Sequence, residues 1–148
     1  MNRLYSVLIL VLSTVVLFVS CSGGGGCETG GGGGGASDDD ATAVAIQPDG
    51  KIVAAGYSYN GSQYVFALVR YNTNGTLDTT FNTTGKVTTA IGTSDDDAFA
   101  VAIQSDGKIV AAGYSYNGSQ YVFALVRYNT DVTLDATFNT TGKVTTAI

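Results

Sequence analysis

The 55 residues from Ser37 to Ile91 recur from Ser94 to Ile148, each residue matched by the one 57 positions on, with five exchanges: Thr42 to Phe99, Pro48 to Ser105, Asn74 to Asp131, Gly75 to Val132 and Thr79 to Ala136. A chain written this way must fold as two copies of one unit. The period is far above the roughly 33–34 residues of the helical ankyrin and tetratricopeptide repeats, and so leans toward sheet.

Turn chemistry divides the unit into four strands. Ala43-Val44-Ala45-Ile46-Gln47 runs into Pro48-Asp49-Gly50 and then Lys51 to Ser58. Proline fixes φ at the second position of a type I turn, and Asp and Gly suit the positions after it. Asn60-Gly61 is a second hairpin signal, since both residues tolerate positive φ. Tyr64 to Tyr71 follows, then a turn-rich stretch from Leu77 to Gly85, then Lys86 to Ile91. In the second copy Ser105 replaces the proline but keeps Asp106-Gly107, so the turn should persist. Val132 replaces Gly75, and a β-branched residue is poorly suited to positive φ, so that loop must change its turn or accept strain.

The strands carry apolar residues on both sides. Tyr64, Phe66 and Leu68 point one way while Val65, Ala67 and Val69 point the other, and in the first strand Val44 and Ile46 oppose Ala43 and Ala45. A one-sided antiparallel sheet would alternate apolar with polar, so this sheet needs cover on both faces. Four-stranded antiparallel sheets covered on each face by copies of themselves are the blades of a β-propeller.

The stretches Ala43 to Val53, Phe66 to Asn72 and Gly75 to Asp78, with Phe81 and Gly85-Lys86-Val87, resemble the bacterial delta-60 repeat, a propeller-type repeat of secreted and surface proteins. The resemblance covers both units and implies an all-β fold of two four-stranded antiparallel propeller-like blades. Propellers close with roughly four to eight blades, so two make an incomplete ring. Three outcomes stay open: several chains self-associate to complete a ring, the two sheets pack as a sandwich-like pair, or the sequence is a fragment of a longer repeat protein.

Ahead of the repeats, Met1 to Ser20 holds one positive charge at Arg3 and an apolar stretch from Leu4 to Val19. That is a charged n-region before an h-region, and it is short for a bilayer span of about 20 residues. Phe18-Val19-Ser20-Cys21 resembles the lipobox of bacterial lipoproteins, which implies cleavage before Cys21 and acylation of that cysteine. An uncleaved anchor or an ordinary secretory signal are the alternatives. Residues 21–36 are mostly glycine, a composition that cannot bury enough apolar surface to order itself, and should act as a flexible tether. The expected organisation is a signal peptide at 1–20, a tether at 21–36, one blade at 37–93 and the second at 94–148.

Composition excludes several chemistries. The sequence has twelve acidic and seven basic residues and no basic cluster, so nucleic acid is not an expected partner. Histidine is absent, which removes Ser-His-Asp and Cys-His devices, and two cysteines without histidine make no zinc site. Asp38-Asp39-Asp40 and Asp95-Asp96-Asp97 lack the spacing of a calcium loop and read as solvated edges that discourage further pairing. No cofactor or metal is expected.

What remains for binding is a rim of Tyr59 and Tyr116 beside Asn-Gly turns, with Asp49 and Asp106 in the other turns, that could take a carbohydrate or protein ligand. Packing of the tyrosines between blades is the competing expectation. The resulting expectation is a non-catalytic binding or structural module, lipid-anchored in the bacterial cell envelope and facing periplasm or cell surface. An envelope hydrolase or lyase using rim aspartates is the alternative from another class.

Overall fold

The computed structural model describes residues 38–148; the stretches expected to be a signal peptide and a tether, with Cys21, lie outside the described residues. The first unit forms β1 (Asp39–Ile46), β2 (Ile52–Tyr59), β3 (Tyr64–Tyr71) and β4 (Lys86–Thr89). The second forms β5 (Asp96–Ile103), β6 (Ile109–Tyr116), β7 (Tyr121–Tyr128) and β8 (Lys143–Thr146). Each set is a separate four-stranded antiparallel meander in sequence order, and no helix occurs among the described residues. The protein is thus all-β, with two unclosed propeller-type blades.

Local chemistry explains the strand ends. Gly50 N–H donates to the Gln47 carbonyl at 2.8 Å and Gly50 takes φ 82°, closing the β1–β2 turn around Pro48 and Asp49. With Ser105 in place of the proline the same bond forms, Gly107 to Gln104 at 2.9 Å, so the turn survives the exchange. Asn60 holds the next turn: its side-chain oxygen accepts from the backbone of Ser62 and Gln63 at 2.9 and 3.0 Å.

The first strand begins at Asp39 and not at Ala43, because a bulge between Ala41 and Ala43 lets the acidic lead pair with Ser58 and Tyr57. The bulge brings backbone so close to Gly56 that a Cβ there would lie 1.9 Å from the Asp40 carbonyl oxygen. No residue with a side chain fits opposite it, and Gly113 stands in the same relation to Asp97.

Strand alternation gives each blade two faces. The forward face carries Ala43, Ala45, Val53, Ala55, Phe66 and Leu68; the rear face carries Val44, Ile46, Ile52, Ala54, Ala67, Val69 and Tyr71. Within the chain, the forward face of the first blade packs on the rear face of the second. The core holds Ala45, Val53, Ala55, Phe66, Leu68 and Phe81 from the first blade. From the second it holds Val101, Ile109, Ala111, Ala124, Val126 and Tyr128. β1, β2 and β3 all contact β5.

The opposition of small and large residues along the first strand is what lets the two layers close: the alanine side of β1 meets the valine and isoleucine side of β5. Polar bonds cross the same junction. Thr42 Oγ1 donates to the Ala98 carbonyl at 2.6 Å, and the Tyr128 hydroxyl donates to Thr89 Oγ1 at 2.8 Å. Burial pushes the Tyr128 hydroxyl up to about 12.

Val132 resolves the question raised by its exchange for Gly75. It keeps the turn and the positive φ, 71° against 83°, with the same Val132 N–H to Asn129 bond at 2.9 Å. Strain is accepted there, and the valine is buried in the core between the blades. Left-handed backbone costs an L-residue about 1–2 kcal/mol, and burying a valine side chain returns about as much.

Candidate functional site

Each blade is pinned by a buried carboxylate that the sequence pattern did not single out. Asp78 lies in the loop after β3, almost wholly buried, where Oδ2 accepts from Lys51 Nζ and Arg70 Nε, both at 2.8 Å. Its Oδ1 accepts from the Thr80 hydroxyl at 2.6 Å and the Thr80 amide at 3.1 Å. The Arg70 guanidinium sits 4.6 Å over the ring of the buried Phe81.

Asp135 repeats the arrangement with Lys108 at 3.0 Å, Arg127 at 2.8 Å and Thr137, and Arg127 covers Phe138. The hydrogen bond from Lys51, then that from Thr80, hold the Asp78 carboxyl well below the usual carboxylate range, and Thr137 and Lys108 do so for Asp135. These acids are fully committed, each oxygen being held by two donors, so they lock the loop and have no capacity left for proton transfer. Their signal in the sequence was the arginine eight residues before the aspartate, written twice.

The acidic run that opens the second blade corrects the expectation of a solvated edge. Asp96 has no exposed surface, and its carboxylate accepts from the amides of Ile91 at 2.7 Å and Gly92 at 3.3 Å, capping the chain where it crosses between blades. Asp95 Oδ1 accepts from the Tyr64 amide at 2.9 Å, which ties β3 to the second blade. Asp97 accepts the Tyr114 hydroxyl, while its Oδ1 is buried with no partner among the described residues. Burial pushes the Asp97 carboxyl above its ordinary value. The matching Asp38, Asp39 and Asp40 are exposed, with no blade packed before them among the described residues. Among those residues no group of three or more acids or cysteines is placed to hold a metal ion.

The open forward face of the second blade is aromatic. Phe99 packs at a tilt on Tyr114 with ring centres 5.3 Å apart, Tyr114 meets Tyr121 edge-on at 4.7 Å, and Tyr121 packs at a tilt on Tyr116 at 5.1 Å. Phe123 completes a shallow depression of about 470 Å³, with Ala112 and Leu125 in its wall.

The rim residues expected from the sequence divide between the two ends of the blades. Tyr59 ends β2 and packs on Tyr64 at 5.4 Å, and Tyr116 holds the same place on β6. Asp49 lies at the other end of β2, about 24 Å away at the rise of an extended strand. There it accepts from the Lys51 amide at 3.1 Å, as Asp106 does from Lys108 at 3.2 Å. The structure therefore places Tyr59 on Tyr64 and Tyr116 on Tyr121, each within its own blade, puts Asp49 and Asp106 in the turns at the far ends of β2 and β6, and does not bring these tyrosines and aspartates together. Cys21 lies outside the described residues.

Twofold repetition, meander sheets and face-to-face stacking define a β-propeller-type repeat protein. Residues 47–81 and 104–138 match the family described as Domain of unknown function (DUF5122) beta-propeller. The matched segments run from the β1–β2 turn and the β5–β6 turn to the phenylalanine under each blade's arginine, so each holds the whole of its blade's ion-pair lock. No curated protein matches the chain.

Proposed function

We propose that this protein is a lipid-anchored component of the bacterial cell envelope, held at the membrane through Cys21, whose delta-60-type blades form a non-catalytic binding or structural module. The observation that carries the reading is the disposition of the carboxylates. Asp78 and Asp135 are saturated by cations and hydroxyls, Asp96 caps backbone, Asp97 accepts the Tyr114 hydroxyl, and the exposed forward face of the second blade is aromatic. A paired-carboxylate glycosidase needs two acids facing one cleft. Anchoring rests on Phe18-Val19-Ser20-Cys21 after the apolar leader. The ligand is a carbohydrate or protein segment taken at the strand ends that carry Tyr59 and Tyr116, where rings offer flat contact area with a polar tip.

Cys21→Ser should abolish acyl mass in the purified chain and move the protein from the membrane to the soluble fraction. Unchanged mass and fractionation would overturn the anchor. For the ligand, arrays of envelope glycans and peptides probed with the full chain should give a binder that weakens at least about tenfold on Tyr59→Ala and Tyr116→Ala, a loss typical of an aromatic contact. Binding indifferent to both changes removes the rim.

A further inference from the structure

The junction inside this chain is heterologous: a forward face meets a rear face, and two unlike surfaces are joined. Such contacts leave one unused copy of each surface, and they propagate into rings or filaments. Here the unused pair is the rear face of the first blade and the forward face of the second. In sequence they are nearly the same surfaces as the two already joined. We propose that a second copy of this chain docks on the forward face of the second blade through the rear face of its own first blade, repeating between chains the junction seen within one.

Three observations carry this. Five of the eight large apolar residues exposed among the described ones fall on the strands of these two faces: Phe99, Tyr121 and Phe123 on the forward face, Val44 and Ile46 on the rear face; the other three are Tyr59, Leu77 and Ile148. Scattered apolar residues are ordinary, whereas a contiguous patch marks an interaction surface.

The polar bonds of the internal junction also have counterparts in place. Tyr128 donates to Thr89 across the internal junction, and Tyr71 and Thr146 stand ready to do so between chains. Lys143 Nζ donates to the Ala90 carbonyl at 2.6 Å, and the counterparts are the exposed Lys86 and Ala147. The Tyr64 amide donates to Asp95, and the counterparts are the exposed Tyr121 and Asp38.

Lastly, the Asp38 to Asp40 run is exposed, with no blade packed before it among the described residues, while Asp95 to Asp97 is gathered into the junction. Two exchanges fall at the proposed junction: on the rear face Gly75 stands where Val132 is buried in the internal one, and the other is on the forward face. Phe99 replaces Thr42, so the hydroxyl bond to the neighbouring backbone is lost and aromatic contact area takes its place. Closure at roughly four to eight blades would take two to four copies of the described pair of blades. The proposal does not depend on the lipid anchor.

Sedimentation of the full chain, in density-matched detergent where it carries lipid, should give one discrete oligomer. Phe123→Asp, on the forward face, and Val44→Asp, on the rear face, should each leave single chains with unchanged circular dichroism, since both residues are exposed in the isolated chain. Should either aspartate unfold the chain, serine at the same position serves instead. Mixing the two variants restores one intact junction, so the mixture should sediment as a one-to-one dimer and no larger. A wild-type chain that stays single at every concentration overturns the proposal. So does an oligomer indifferent to Phe123→Asp, or one broken by that change and not by Val44→Asp, which would mean that like faces pair. A mixture that forms no dimer overturns it as well.

Discussion

The two blades are nearly one sequence and bury opposite sides of it. Phe66 has no exposed surface while Phe123 is 60% exposed, and Tyr128 is fully buried while Tyr71 is only half covered. Asp96 caps backbone in the interior while Asp39 faces solvent. Identical residues acquire different energies because a propeller-type blade has a direction, and among the described residues each blade has a neighbour on one side only. A side chain in such a protein has its role assigned by its place in the stack, and the composition of its strand does not assign it.

The sharpest way to break this comparison is to truncate the same phenylalanine in both blades. Phe66→Ala should cost about 3–5 kcal/mol in denaturant unfolding, as for a fully buried aromatic. Phe123→Ala, measured at a dilution where the protein sediments as single chains, should change stability by less than about 0.5 kcal/mol, as exposed positions do. Equal effects would show that the two blades do not differ as described.

A smaller effect sharpens it at the one turn where the copies diverge. Gly75→Val places a β-branched residue at φ 83° in open space, with nothing to pack against, so it should cost about 1 kcal/mol of strain. Val132→Gly relieves the same strain but empties a buried place, and should lie within about 1 kcal/mol of zero. If Gly75→Val were stabilising, burial could not be the reason that the second blade tolerates its valine.

Much of the fold was legible because strands obey local rules. Pro48-Asp49-Gly50 and Asn60-Gly61 mark hairpins through the φ values they permit. The doubly apolar pattern of Tyr64 to Tyr71 demands cover on both faces whatever its source. The ion-pair lock was legible only as residues, since Lys51, Arg70 and Asp78 are separated in sequence and a charged residue in a turn-rich stretch looks solvated until a sheet brings its partners within 3 Å. The misread acids of the second blade fail for the same reason: Asp38 to Asp40 and Asp95 to Asp97 are the same letters, and no local rule distinguishes an exposed lead from one folded into a junction.

The sequence by itself therefore determined the number of strands, their turns, the pairing of small with large along the first strand, and the need for neighbours. Only tertiary structure decided which face of each blade is satisfied, which aspartates are buried, and which aromatic surface stays open. Backbone preference and alternation are properties of a few adjacent residues, whereas desolvation is a property of whatever is packed across the gap, and that lies a full repeat away along the chain.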